Sequence, residues 1–74
     1  MPVVPLENLS AGEHGRIHEL DGSVEFVHRL EEMGLRVGTV VHMVQPGSPC
    51  ILAAGNHRFS LRIEETATVL VELF

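Results

Sequence analysis

Apolar positions change their period along the chain, and each change marks an element. Across residues 15–20 apolar and polar side chains alternate imperfectly, which predicts a first strand ended by Asp21-Gly22. Ser23 then has the chemistry of a helix N-cap, and Glu25 falls in the first turn, where the helix dipole favours an acid. Val24, Val27, Leu30 and Met33 recur every third residue and give a short helix an apolar stripe, with Phe26 beside it. Gly34 follows directly and suits the left-handed position that ends many helices.

Residues 39–45, Thr-Val-Val-His-Met-Val-Gln, are β-branched and apolar and predict a strand. Val41 and Met43 are placed inward, with Val40, His42 and Val44 outward or partly covered. Pro46-Gly47-Ser48-Pro49 reads as a turn. Beyond it Cys50, Leu52 and Ala54 alternate with Ile51 and Ala53, and Gly55-Asn56 reads as a hairpin tip. The return strand covers residues 57–62. Glu64-Glu65-Thr66 is read as a single helical turn, and residues 68–73 as the final strand. The lead from Pro2 to Pro5 is read as irregular, because proline disfavours regular structure there. The sum is about five short strands and one short α-helix in a single domain spanning residues 1–74. So many strands in so few residues cannot form two full sheets. The fold class is therefore mainly β, a small bent SH3-like barrel whose closure would remove most exposed edges.

Composition narrows the function. With 74 residues the core is thin, and only 4% of residues are aromatic, so Val, Leu and Ile must fill it. One cysteine, Cys50, cannot form an internal disulfide, which argues for a reducing compartment. The start, Met1 to Glu7, has no basic region followed by an apolar run and does not read as a secretory signal. No stretch approaches the ~20 apolar residues needed to span a membrane. A cytoplasmic location without membrane insertion is expected. The net charge of −5, with five Arg and no Lys, argues against nucleic acid and anionic lipid and in favour of a basic protein surface as partner.

Candidate chemistry is sparse. Five histidines, His14, His18, His28, His42 and His57, invite a metal reading. A structural zinc site needs four ligands, usually in tight sequence pairs. Only His14 and His18 are close, and on a strand they would lie roughly 13 Å apart. Cys50 has an inward parity and reads as a small core residue. No cofactor is required. A weak surface site for iron or zinc, drawing on His14, His18, His42, His57 or Cys50, stays open, alone or completed across an oligomer. Glu31-Glu32 and Glu64-Glu65 read as solvated carboxylates, since acid–base pairs need a cleft that separates their pKa values. No nucleophile elbow and no phosphate-binding glycine loop is present, so an enzyme is not expected.

Several of these segments occur in a specific order. Arg29-Leu30-Glu31-Glu32-Met33-Gly34-Leu35-Arg36-Val37-Gly38-Thr39 resembles the signature of the FeoA family, in which a helix ends in Leu-x-x-Met/Leu-Gly-Leu before a Gly-Thr that opens a strand. Gly47-Ser48-Pro49 stands where that family usually has Gly-Asp-Pro. Arg58-Phe59-Ser60-Leu61-Arg62, followed by Glu64-Glu65, resembles its Arg-Leu-Ser-Leu-Arg and Glu-Glu. The opening Leu9 to Ile17 is also similar, so the likeness runs from about residue 6 to residue 72. It implies an SH3-like barrel, a cytoplasmic location, no catalysis, and a partner in FeoB, the membrane ferrous iron transporter with a cytoplasmic GTPase domain. The same fold forms the C-terminal domain of metal-dependent repressors, so a repressor partner and a metal sensor or delivery role are the alternatives.

There are departures: Ser48 for the usual Asp, His57 for a common aromatic, and an apolar strand at residues 50–54 where charges usually alternate. The last suggests a covered face, such as a homo-oligomer contact. Leu30, Met33, Gly34, Leu35 and Gly38 form the structural signature, since backbone geometry and core filling alone account for glycine and leucine there. Leu35, Arg36 and Val37 together with Pro46, Gly47, Ser48 and Pro49 form the candidate partner surface.

Overall fold

The computed structural model of the protein describes residues 2–74. Six strands form one antiparallel sheet: β1 (Val3–Pro5), β2 (His14–Asp21), β3 (Val40–Gln45), β4 (Cys50–Ala54), β5 (His57–Leu61) and β6 (Thr68–Leu73). Their order is β1-β6-β2-β3-β4-β5. A 3-10 turn (Leu6–Asn8) follows β1, and one helix, α1 (Val24–Glu32), joins β2 to β3. The mainly β, SH3-like expectation is met, with the ladder open between edge strands β1 and β5. Irregular pairing between Ile17 and Glu19 in β2 and between Met43 and Gln45 in β3 accompanies the bending of this small sheet.

Two local expectations are corrected. The proline lead forms a strand: Val3, Val4 and Pro5 pair with Glu72, Val71 and Leu70. Proline is tolerated there because β1 is an edge, where a missing N–H costs no interior ladder bond. This makes the count six strands, one more than expected. Glu64-Glu65-Thr66 is a tight turn closed by the Ala67 N–H donating to the Glu64 carbonyl at 3.0 Å, not a helical turn. So short a segment cannot repay the ordering cost of a helix nucleus.

The helix is also turned relative to its sequence stripe. Phe26 and Leu30 are its buried residues, Val27 and Met33 are half-buried, and Val24 is 70% exposed. A nine-residue helix on a small sheet offers one narrow face inward, and spacing four from Phe26 to Leu30 defines it. Ser23 caps the helix as expected, its Oγ accepting the Phe26 N–H at 3.1 Å. The core joins Phe26 and Leu30 to Leu6, Leu9, Ile17, Leu35, Val41, Met43, Cys50, Leu52, Leu61, Val69 and Val71. The inward placement of Val41, Met43, Cys50 and Leu52 agrees with the alternation read from sequence. β4 lies between two strands, with Cys50 and Leu52 in the core and Ile51, Ala53 and Ala54 half-buried.

Candidate functional site

The signature segment is first a device for stopping a helix. The Leu35 N–H donates to the Leu30 carbonyl at 2.9 Å, and the Gly34 N–H to the Glu31 carbonyl at 2.9 Å. These are the two hydrogen bonds of a Schellman motif, with Gly34 at φ +90° in its left-handed position. The apolar contact that accompanies the motif is supplied by Leu30 and Leu35, each 1% exposed. Thr39 locks the loop: its hydroxyl donates to the Gly34 carbonyl and accepts the Arg36 N–H, both at 3.1 Å. The Gly38 N–H donates to the Ile17 carbonyl and the Ile17 N–H to the Thr39 carbonyl, each at 2.8 Å, which ties the loop to β2.

Two side chains of this loop are left for solvent. Val37 is 65% exposed. Arg36 is exposed and donates through Nε to the Glu31 carbonyl at 3.3 Å, which fixes its stem near the helix end. Leu35, expected among the contact residues, is buried and cannot meet a partner.

Grooves flank α1 on two sides. One, of about 620 Å³, is lined by Ser23, Glu25, Arg29, Glu32 and Glu64. An exposed ion pair, Arg29 to Glu64 at 3.9 Å, lies among these residues and holds little energy, under about 1 kcal/mol. The other, of about 290 Å³, has Leu20, Val24 and Val27 as apolar lining and Asp21, His28 and Glu31 as polar lining. Glu31 links this groove to Arg36 through the hydrogen bond above. Carboxylates outnumber cations in both grooves, so a basic segment is the complementary partner. The sequence reading missed this surface because it set Val24 on the helix's apolar stripe, whereas Val24 is exposed. The available signal was the 4-spacing of Phe26 and Leu30, the pair that turns inward.

The second half of the expected surface lies elsewhere. Pro46, Gly47, Ser48 and Pro49 are all exposed, and they follow β3, whereas Arg36 and Val37 precede it. Six extended residues separate the two loops by roughly 17–20 Å. The single surface expected from sequence is therefore two surfaces at opposite ends of β3.

The histidines divide similarly. His18, His28, His42 and His57 are exposed and His14 is half-buried. His14 and His42 face each other across β2 and β3 with ring centroids 4.9 Å apart, a pairing the sequence did not reveal. Among the described residues no group of three or more His, Cys, Asp or Glu side chains gathers as a metal-binding set.

Cys50 is 3% exposed and is no surface ligand. Burial pushes its thiol above the ordinary value of 9.0; a backbone hydrogen bond partly offsets this, and the Glu7 charge adds a smaller upward push. The folded protein thus keeps this proton to higher pH than the unfolded chain does. Its contribution to stability is full below about pH 9 and is lost as pH rises through the folded value. Cys50 should resist a thiol reagent in native buffer and react promptly in urea. Rapid labelling of the native protein would show that β4 is not packed as described.

The fold and surface define a small antiparallel β module with an exposed, acidic helix face. The FeoA domain model matches residues 4–73, and the chain belongs to the FeoA family. A crystal structure of an "iron uptake regulatory protein (FeoA)" is similar over 100% of both chains, at 26% identity and a TM-score of 0.86. No curated protein matches the chain. No helix among the described residues is long and apolar enough to cross a membrane.

Proposed function

We propose that this protein is a non-enzymatic, cytoplasmic accessory of bacterial ferrous iron uptake that regulates the membrane transporter FeoB by docking on it. The observation that carries this reading is the family match over residues 4–73, nearly the whole chain. The similar crystal structure, described as an iron uptake regulator, supports the same role. The docking face is Arg36 and Val37 together with the α1 grooves. An exposed valine beside a fixed arginine offers an apolar anchor with a charged rim. The net charge of −5 and the groove carboxylates fit a basic surface on the transporter.

The test is affinity capture from bacterial membranes in mild detergent, read by mass spectrometry. Wild-type bait should recover the transporter, and the double variant Arg36→Ala/Val37→Lys, which removes the apolar anchor and the fixed arginine without adding acid, should lose it. Both sites are exposed, so the variant should remain folded, which circular dichroism checks. If wild-type recovers no transporter while a control complex survives, the accessory reading fails. If the variant recovers it undiminished, the docking face lies elsewhere.

A further inference from the structure

The opposed histidines occupy a particular place in the ladder. Across β2 and β3 the Met43 N–H donates to the Glu13 carbonyl and the Ile17 N–H to the Thr39 carbonyl, each at 2.8 Å. Hydrogen-bonded pairs alternate with non-hydrogen-bonded ones in an antiparallel ladder. Glu13 with Met43 and Ile17 with Thr39 are of the first kind, so His14 with His42 is of the second. In such pairs the Cα atoms approach to about 4.5 Å and the side chains lie closest. Gly15, Ile17, Val41 and Met43 turn inward, so both histidines stand on the outer face of the sheet.

We propose that His14 and His42 form a two-point surface chelate for a divalent late transition ion of the zinc class. A tetrahedral ion about 2.1 Å from each ligating nitrogen sets the two ring centroids about 5 Å apart. The observed separation is 4.9 Å, with the rings tilted by 31°. The terminal histidine torsion is soft and broad, so aiming one nitrogen of each ring at a common point needs no backbone movement.

The surroundings favour a one-sided site. The Phe74 ring meets His14 edge-on at 4.9 Å and closes that flank. The Arg16 guanidinium lies over the Phe74 ring, 5.2 Å from its centroid, so it is engaged with the aromatic ring. No third His, Cys, Asp or Glu joins the pair among the described residues. The chain therefore supplies two ligands, and water or a donor from another molecule fills the rest. Such a site is open and exchangeable, unlike a closed structural zinc centre. Imidazole ligands bind zinc and copper more strongly than ferrous iron, so the same pair should hold ferrous ion more loosely. The site rests on ladder geometry and is independent of transporter docking.

The test is a zinc sulfate titration of the intact protein, followed by NMR of the five histidine rings. His14 and His42 resonances should shift together and saturably, ahead of His18, His28 and His57. His42→Ala should weaken binding by at least about tenfold, while His57→Ala should leave it unchanged. Equal shifts at all five histidines, or undiminished binding to His42→Ala, would overturn the proposal. Should His42→Ala fail to fold, His42→Gln serves as the replacement, and the wild-type ring shifts decide the question without any variant.

Discussion

Phe26→Ala should lower the stability of this domain by about 3–5 kcal/mol. Phe26 is 0% exposed and is the largest fully buried side chain. Of the other two aromatic residues, Phe59 is half-buried and Phe74 is 47% exposed, so neither can take its place. A chain of 74 residues is stable by only about 4–11 kcal/mol in total. A cavity of this size, on the one helix that covers the sheet, consumes much of that. Urea unfolding should show a midpoint lowered by a third or more, with Phe26→Leu intermediate. A midpoint near wild type would mean that α1 is not seated on the core as described.

Gly15→Val should also destabilise the fold, by about half as much and for the opposite reason. Gly15 lies in β2, paired to Val41 on one side and Leu73 on the other. Its backbone is not in the left-handed region, so conformation is not what requires glycine there. Space is: a Cβ at this position would stand 2.8 Å from the Glu72 carbonyl oxygen and 3.4 Å from the Val71 Cβ. The obstructing atoms are mostly backbone of β6, and β2 is held by β3 behind it, so neither strand can retreat cheaply. Overpacking of this kind costs about 1–3 kcal/mol. The melting temperature should fall by roughly 8–16 °C for about 2 kcal/mol in a domain of this size. A fall of only a degree or two would show that β2 and β6 separate easily at this point.

These two residues also show what the sequence could and could not disclose. The helix stop was legible because its parts are local: Leu30, Gly34 and Leu35 specify the Schellman motif within six residues, and Ser23 specifies the cap. Strand parity was legible at Val41 and Met43, which flank the polar His42, whereas in the wholly apolar run 50–54 the inward side of Cys50 and Leu52 followed only from the two-residue period of a strand. Which side of α1 faces inward was not, since Val24 and Phe26 are equally apolar and only the sheet beneath decides between them. The need for glycine at position 15 arises from a strand distant in sequence. The pairing of His14 with His42 depends on the register of β2 against β3, which no local pattern encodes. The division of the expected partner surface has the same origin, because two loops that look adjacent in sequence are held apart by the length of the strand between them.

The edge strand β1 carries a last consequence. Val3 lies opposite Glu72 in an antiparallel pair, and the Leu73 N–H donates to the Pro2 carbonyl at 2.9 Å. The polypeptide therefore comes in and goes out at neighbouring points of one edge. A fold with that geometry is portable: it fits within a loop of a larger polypeptide without prising the host's flanking residues apart, and it tolerates a short bridge between its own ends.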